Sequence, residues 1–392
     1  MNEQLLSLLR SRYKNGIIPT PELILDLGAI ELAAKSMKEH VKNIGLNAKL
    51  YYSYKTNNTE LVCKLMGAEG FGAEVASIDE LELAIGDGFS PDMIVFDGPL
   101  KPSSELRRAL QLPVTIHIDS ISEALEIIKL KESGVEVAAK FGIRFTHKYG
   151  DSLSRFGLTS GDVEFLVNNG LLDKIDIRGV HVHTGSNLAS VEAMKSCLIH
   201  NQIFIRSILS KKHSWLDLGG GFPANTKRPP NSATSSSIIS DINEVVKELF
   251  PSDEFDVFLE PGRSLVEDHG YLITKIHHTK IRNDMILGFC DAGLNLISSI
   301  RSWVHDIGSF SLTSSCDEKM DILYGSNCFE SDIIARDISY SKSEDTYVVI
   351  GGCGGYDIPS TNFWLRKPYT LSYLKDGLLV HSSKSSHKIR VH

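Results

Sequence analysis

Between residues 48 and 263, short apolar runs alternate with stretches of helical period. The runs are AKLYYSYK (48–55), FGAEVAS (71–77), MIVFDG (93–98), VTIHIDS (114–120), VEVAAKFGIRF (135–145), IRGVHVHTGS (177–186), WLDLGGG (215–221) and DVFLEPGR (256–263). They are rich in Val, Ile, Leu, Phe and Tyr, and nearly continuous rather than alternating. Parallel strands covered on both faces have this composition. The segments after the first four runs, NTELVCKLM, SIDELELAIGDG, SSELRRALQ and SISEALEIIKLKESG, space their apolar residues as amphipathic helices do. Asn58, Ser77, Ser103 and Ser120 stand near their starts as candidate N-caps. Eight β-then-α units over about 215 residues predict an α/β chain with a (β/α)8 barrel spanning 27–265. The competing doubly wound sheet needs a Gly-rich dinucleotide turn after its first strand. That turn is absent from the sequence.

After residue 265 the pattern changes. YLITKIHHTKI, DMILGFCDA, KMDILYG, TYVVIGG and TLSYLKDGLLVH have strand composition, turn residues between them and little helical period. TPELILDL near the N-terminus has the same character. A second, mainly β domain is therefore expected from 1–26 and 266–392 together. The polar, Pro- and Ser-rich stretch 225–241 reads as a loop beside the barrel mouth.

Composition narrows the class. The chain has 392 residues, long enough for two domains, with 42% hydrophobic and 23% charged residues, as in ordinary globular proteins. The formal net charge of −8 disfavours a nucleic-acid partner. No apolar run approaches the roughly 18 residues of a membrane span, and the first residues lack a secretory pattern. A soluble cytosolic enzyme is expected. Cys63, Cys197, Cys290, Cys316, Cys328 and Cys353 are scattered, with no CxxC pair, so neither a zinc site nor a disulfide framework is expected.

The C-terminal ends of barrel strands form the active-site face. Lys55 ends the first run, where desolvation would lower its pKa and favour a neutral amine for imine chemistry, although a strand-end lysine can equally be a solvated side chain. The seventh run leads into Gly219-Gly220-Gly221 and the eighth into Glu260-Pro261-Gly262-Arg263. Loops after strands seven and eight often bind phosphate, glycines let backbone N–H groups approach it, and an arginine adds charge. His181 and His183 share one strand face. They suit a metal pair only with a third ligand, which the sequence does not show nearby, and an imidazole stacked on a flat cofactor fits better. An imine-forming lysine, a phosphate cup, a stacking ring and a buried carboxylate together fit pyridoxal 5'-phosphate.

These motifs carry a resemblance. YYSYKTNN, GFGAEVASIDEL, HVHTGS, LDLGGGFP, EPGRSLV, CDAGLN, CFESD (328–332) and GGCGGYD, in this order, resemble the fold-type III pyridoxal-phosphate decarboxylases, the diaminopimelate, ornithine and arginine decarboxylase family. The resemblance spans nearly the whole chain. It implies an alanine-racemase-like barrel, with Lys55 bound covalently to the cofactor and Glu260 at the pyridine nitrogen. It also implies His183 on the ring, and Ser186, Gly220, Gly221, Gly262, Arg263 and Tyr356 around the phosphate. Glu74 falls where the family has an acidic residue near the lysine, and Arg144 where it has a barrel-lining arginine. Cys328 matches the cysteine that family members present across a dimer interface as a proton donor. A homodimer with shared sites, acting on a small amino acid, follows from the same resemblance.

The substrate half departs from the family. Phe329 stands where an acidic residue usually follows the cysteine, with Glu330 next, and Asp332 closes the motif. Diaminopimelate decarboxylases place an arginine after DAGxN, whereas here Arg301 follows several residues later. Either Glu330 or Arg301 takes the usual role by a local shift, or the substrate is a specialised or conjugated amino acid. An alanine-racemase-like reaction is disfavoured by Glu260, because racemases of this barrel place an arginine at the ring nitrogen. A non-enzymatic homologue that binds a regulatory partner is disfavoured by the intact Lys55, His183, Glu260 and Tyr356. A metal-dependent hydrolase built on His181 and His183 is the remaining rival.

Overall fold

The computed structural model describes residues 3–15, 20–225, 229, 232–251, 254–313, 316–343, 345–362, 364–366 and 369–381. The chain divides into two compact units, one of Glu31–Ala224 and Pro230–Ser264, the other of Met1–Ile30, Asn225–Pro229 and Leu265–His392.

The first unit is a closed eight-stranded parallel barrel. Its strands are β1 (Ala48–Ser53), β2 (Gly72–Val75), β3 (Ile94–Phe96), β4 (Thr115–Ile118), β5 (Lys140–Arg144), β6 (Ile177–His181), β7 (Trp215–Asp217) and β8 (Asp256–Leu259). Each pairs with the next, and β8 closes on β1 with Val257 beside Ala48. All eight apolar runs became barrel strands, although the fifth is extended only from Lys140. Tyr51, Val95, Trp215 and Phe258 pack together inside the barrel. Gly179 of β6 makes room for them, because a Cβ there would lie 1.9 Å from the Trp215 ring.

Ser77 and Ser120 cap their helices, accepting from the N–H groups of Glu80 and Glu123. Asn58 and Ser103 are not caps. Thr59 precedes the first helix, and Ser103 is already the first helical residue of the third, its hydroxyl bonded to Glu126. The expected loop 225–241 ends sooner than the composition suggested. A helix runs over Ser235–Leu249, started by a reciprocal capping box between Thr234 and Ser237. Its apolar stripe, Ile238, Ile239, Ile242 and Val245, is buried and overrides the serine-rich start. Residues 226–228, 230 and 231 of that stretch lie outside the described residues.

The second unit is mainly β, a nine-stranded sheet. Glu22–Asp26 pairs antiparallel with Gly270–Arg282 and parallel with Thr370–Lys375, so both chain ends share one sheet. Two strands went unread in the sequence, Ile307–Ser311 and Ile333–Lys342. The N-terminal part adds a helix over Glu3–Asn15 to this mainly β unit. Leu5, Leu6, Leu9 and Tyr13 form one helical stripe and pack on Ile24, Ile273, Phe310, Tyr347 and Val349. The buried Glu22 ties helix to sheet. It accepts from the Tyr13 hydroxyl at 2.8 Å and the Ser372 hydroxyl at 2.5 Å, and pairs with Arg12 at 2.9 Å. Among the described residues no helix is long and apolar enough to cross a membrane.

Candidate active site

The strands bring one polar group after another to the C-terminal end of the barrel. Lys55 sits in a single 3-10 turn, Tyr54–Thr56, that follows β1 directly. Glu74 projects from β2, and Asp97 follows β3. His117 lies in β4, Arg144 ends β5, His181 ends β6 and Asp217 ends β7. Glu260 follows β8. A closed ring of parallel strands converts these scattered positions into one buried cluster.

Both carboxylate oxygens of Glu74 lie 2.6 Å from the Lys55 ammonium. Burial works against that ammonium, but Glu74, Asp97 and Glu260 outweigh it and raise its pKa above the ordinary lysine value. This corrects the sequence expectation of a lowered pKa, because the strand end alone gave no sign of three converging carboxylates. Asp97 is in hydrogen-bonding contact with Glu74. Burial again opposes the charge, but Lys55, Glu74 and Arg144 hold the Asp97 carboxyl well below its usual range. Glu74, fully enclosed, has its carboxyl pushed up by burial and by Asp97.

At the far side, Glu260 is 3% exposed and its Oε1 has no hydrogen-bond partner. Burial, with Asp217 and Asp97 close by, raises its pKa well above the usual carboxyl value. Burial pushes Asp217 up to about 7. His183 accepts the Gly220 N–H at its Nδ1, 3.1 Å away, so the neutral ring carries its proton on Nε2. Burial, Arg144 and Lys55 hold that ring neutral, with its pKa pushed down to about 3. His181 and His183 come within reach of Glu260, with donor atoms of all three within 4.8 Å of one another. Glu260, just after β8 and 79 residues beyond His181, thus joins the histidine pair at this end of the barrel.

The glycine turns form a cradle. Gly219 and Gly221 adopt φ of +63° and +85°, and a Cβ on Gly219 would strike the His183 ring. A Cβ on Gly220 would lie 2.3 Å from the Glu260 carbonyl oxygen, and one on Gly262 2.2 Å from Thr56 Oγ1. Arg263 is buried beside it, its Nε donating to Ser186 Oγ at 3.3 Å. The barrel thus gathers Lys55, Glu74, Arg144, His183, Ser186, Gly220, Gly221, Glu260, Gly262 and Arg263. Arg144 is held inside it, 3.6 Å from Asp119 and stacked on Phe156 at 4.7 Å. Asp97, His117 and Asp217 were missed by sequence reasoning. The available signal was a charged or imidazole side chain inside an otherwise apolar strand run.

The remaining expected residues belong to the second unit. Tyr356 has φ +67° and starts the short helix Asp357–Ser360. Cys328 is exposed. With Phe329, Glu330 and Asp332 it lines a groove of about 800 Å³ that also carries His277, His278, Lys280 and Arg366. Phe329 stacks on Trp364 at 5.5 Å, and the Arg301 guanidinium lies 5.9 Å over Phe329 and 3.3 Å from the Ser331 carbonyl. Asp332, expected to face substrate, is 1% exposed and spends its carboxylate on the chain. Oδ1 accepts from the Leu294 N–H at 2.8 Å and Oδ2 from the Asn327 N–H at 2.7 Å.

The barrel fits pyridoxal phosphate on its own geometry. It offers a lysine at one end, a carboxylate oxygen without a partner at the other, an imidazole between them, and a cradle that any Cβ would fill. Comparison with known proteins agrees. The diaminopimelate decarboxylase of Archaeoglobus fulgidus is 27% identical over 377 residues, 91% of this chain and 88% of that protein. That of Bacillus subtilis is 27% identical over 380 residues, 89% of this chain and 85% of its own. Among solved structures, diaminopimelate decarboxylase from M. jannaschii with L-lysine superposes with a TM-score of 0.82 at 22% identity, covering 96% of this chain and 91% of that one. The lysine/ornithine decarboxylase of Vibrio vulnificus with cadaverine gives 0.80 at 19% identity, covering 96% and 100%. The family profile described as "Pyridoxal-dependent decarboxylase, pyridoxal binding domain" matches residues 27–267, and the chain belongs to that family of pyridoxal-phosphate-dependent amino-acid decarboxylases.

Proposed function

We propose that the protein decarboxylates an α-amino acid of the diaminopimelate type, one whose far end carries an anionic group as well as an amine. Pyridoxal phosphate, when bound, supplies the electron sink that takes up the electron pair left as carbon dioxide departs. The chain's own residues do the rest. Lys55 holds the cofactor covalently, and Glu74 controls the charge of that lysine. Gly220, Gly221, Gly262, Arg263, Ser186 and Tyr356 hold the phosphate. His183 would cover the ring face, and Glu260 would serve the ring nitrogen. Cys328, in a homodimer with shared sites, brings a proton to the reacting carbon.

One observation carries the substrate reading. The Arg301 guanidinium, out of register in the sequence, stands over Phe329 and against Ser331, beside the segment that bears Cys328. Lys280 and Arg366 line the same groove as that segment and could receive a carboxylate, while Asp291 and Glu330, which also line it, could receive an amine. The Archaeoglobus fulgidus and Bacillus subtilis relatives, both named diaminopimelate decarboxylases, support the same reading. The test is carbon dioxide release from diaminopimelate, ornithine, lysine and arginine side by side. Arg301→Gln is expected to raise the KM for diaminopimelate about tenfold or more while leaving cofactor binding unchanged. Equal turnover of all four acids, or an unchanged KM in the variant, would remove Arg301 from recognition.

A second reading rests on the stacked pair Phe329 and Trp364, which puts an aromatic surface where the family has an acidic side chain. It favours a larger or conjugated amino acid, as in a specialised pathway. Failure of diaminopimelate in the same assay, with release from a bulky or conjugated acid, would select it.

A further inference from the structure

His181 is entirely buried, and neither of its ring nitrogens has a hydrogen-bond partner. It stands between two carboxyl groups. Nδ1 lies 3.6 Å from Asp97 Oδ2, and Nε2 lies 3.7 Å from Glu260 Oε2. Both separations exceed a formed hydrogen bond by a few tenths of an ångström, the kind of gap that closes when a site fills. Glu260 thus turns Oε2 toward His181 and leaves Oε1 without a protein partner.

We propose that Asp97 and His181 are positioning residues for Glu260, with His181 taking the Glu260 proton so that the carboxylate ionises in place at the cofactor's ring nitrogen. The inference rests on Glu260 being the residue that faces that nitrogen.

The proton count follows from the line of atoms. With Asp97 ionised, the neutral imidazole carries its proton on Nδ1, toward Asp97, and its Nε2 lone pair faces Glu260. Glu260 completes the line by holding a proton on Oε2. A positive charge received at Oε1 would draw that proton from Oε2 to Nε2. The O–H bond breaks, an N–H bond forms, and the imidazolium lies between two carboxylates with no proton lost to solvent. The charges around the ring accord with the starting state. Burial, His117 and Arg144 drive His181 well below its ordinary value, Asp97 is held ionised, and Glu260 is pushed up. The other groups facing the ring are His117, with ring centres 4.7 Å apart, and His183 at 6.4 Å. Glu74 is in hydrogen-bonding contact with Asp97 and Asp217 with Glu260, and Lys55 lies beyond Glu74. None of these touches the imidazole nitrogens.

The test uses the holoenzyme loaded with pyridoxal phosphate labelled with nitrogen-15 in the ring, and reads the ring-nitrogen resonance rather than turnover. The parent protein should give the protonated position. His181→Phe keeps the shape but removes the base, so Glu260 stays a neutral acid and the resonance should move to the unprotonated position. Asp97→Asn, nearly isosteric, should move it in the same direction by a smaller amount. Glu260→Gln is the control that loses ring protonation outright. A parent-like resonance in both variants would overturn the proposal. If the parent itself is unprotonated, the assignment of Glu260 to the ring nitrogen fails first. If both variants fold by circular dichroism but retain no cofactor, the two residues are parts of the pocket wall, and the proposal fails on that outcome as well.

Discussion

Glu74 grips Lys55 with both carboxylate oxygens, each 2.6 Å from the ammonium nitrogen, and the carboxylate is fully buried while the lysine side chain is 44% exposed. The lysine can therefore meet a ligand from the open side while its charge is set from the buried side. An ammonium so held has no lone pair to offer a carbonyl carbon. Its proton must pass to a neighbouring group before covalent capture begins, and Glu74 is the group in contact.

Covalent capture of pyridoxal phosphate by the cofactor-free protein should accordingly depend on pH through this pair. The Lys55 pKa is raised, so the neutral amine grows only as pH rises toward and beyond the ordinary lysine range. Glu74→Gln removes the largest carboxylate contribution, and the rise in capture rate should begin at lower pH. Borohydride trapping of the bound cofactor across a pH series measures this. An unchanged profile in the variant would mean that Glu74 does not govern the lysine.

The glycine cradle makes a steric prediction. A Cβ at Gly220 would sit 2.3 Å from the Glu260 carbonyl oxygen, a backbone atom that cannot swing aside. Gly220→Ala should therefore shift the turn and weaken pyridoxal phosphate binding by about tenfold or more, roughly 1.4 kcal/mol. Gly161→Ala, whose added carbon meets nothing closer than 3.8 Å, should leave the dissociation constant unchanged. Fluorescence titration of the cofactor-free variants compares the two. Equal affinities would remove the Gly220 backbone from the binding site.

His117 offers a pH test of the buried cluster. The Trp215 indole donates to its Nε2 at 3.0 Å, and burial pushes its pKa down to about 3. Between pH 3 and 6.5 the unfolded chain binds a proton here that the folded one refuses, so this residue's contribution is intact above pH 6.5 and is lost as pH falls. His117→Gln keeps an acceptor for Trp215 but cannot titrate. The stability of the parent relative to the variant should fall by on the order of 1 kcal/mol per pH unit between pH 6 and 4. Denaturant titrations of both proteins at several pH values measure the difference. A constant gap would mean that the ring is charged in the folded state.

The barrel was legible because each of its strands is a local signal, a short apolar run followed by an amphipathic stretch. The cradle and Lys55 were legible for the same reason, standing at the ends of those runs. The cluster beneath them was not. Asp97, His117 and Asp217 are separated by 20 and 100 residues, and only closure of the ring brings them together. The lysine pKa was misread because the groups that set it lie on other strands. In the second unit, Ile333–Lys342 escaped notice because Arg336, Asp337, Ser339 and Lys342 face solvent without a strict alternation and ARDISYSK reads as polar. Contact between Arg301 and the Cys328 segment was not legible either, because the 3-10 turn Ser298–Arg301 brings the guanidinium over Phe329 from 28 residues away.

The relation between Lys55 and Cys328 supplies the last prediction. If each site in a two-fold dimer draws Lys55 from one subunit and Cys328 from its partner, Lys55→Ala and Cys328→Ala damage opposite contributions. Each variant alone should be inactive in steady-state turnover, with Lys55→Ala also losing the visible band of the bound cofactor. In a mixed dimer one site carries both defects and the other carries neither. Random pairing at equal ratio makes about half of the dimers mixed, so about a quarter of all sites should be intact and activity should return to that level. Coexpression is preferable to mixing, because a large interface exchanges slowly. The thiol acts after carbon dioxide leaves, so Cys328→Ala should still release some carbon dioxide in a single turnover. Protonation at the wrong carbon would then convert the cofactor to its amine form. Purified mixed dimers without restored turnover would mean that one subunit supplies both residues to its own site, or that Cys328 takes no part in the chemistry.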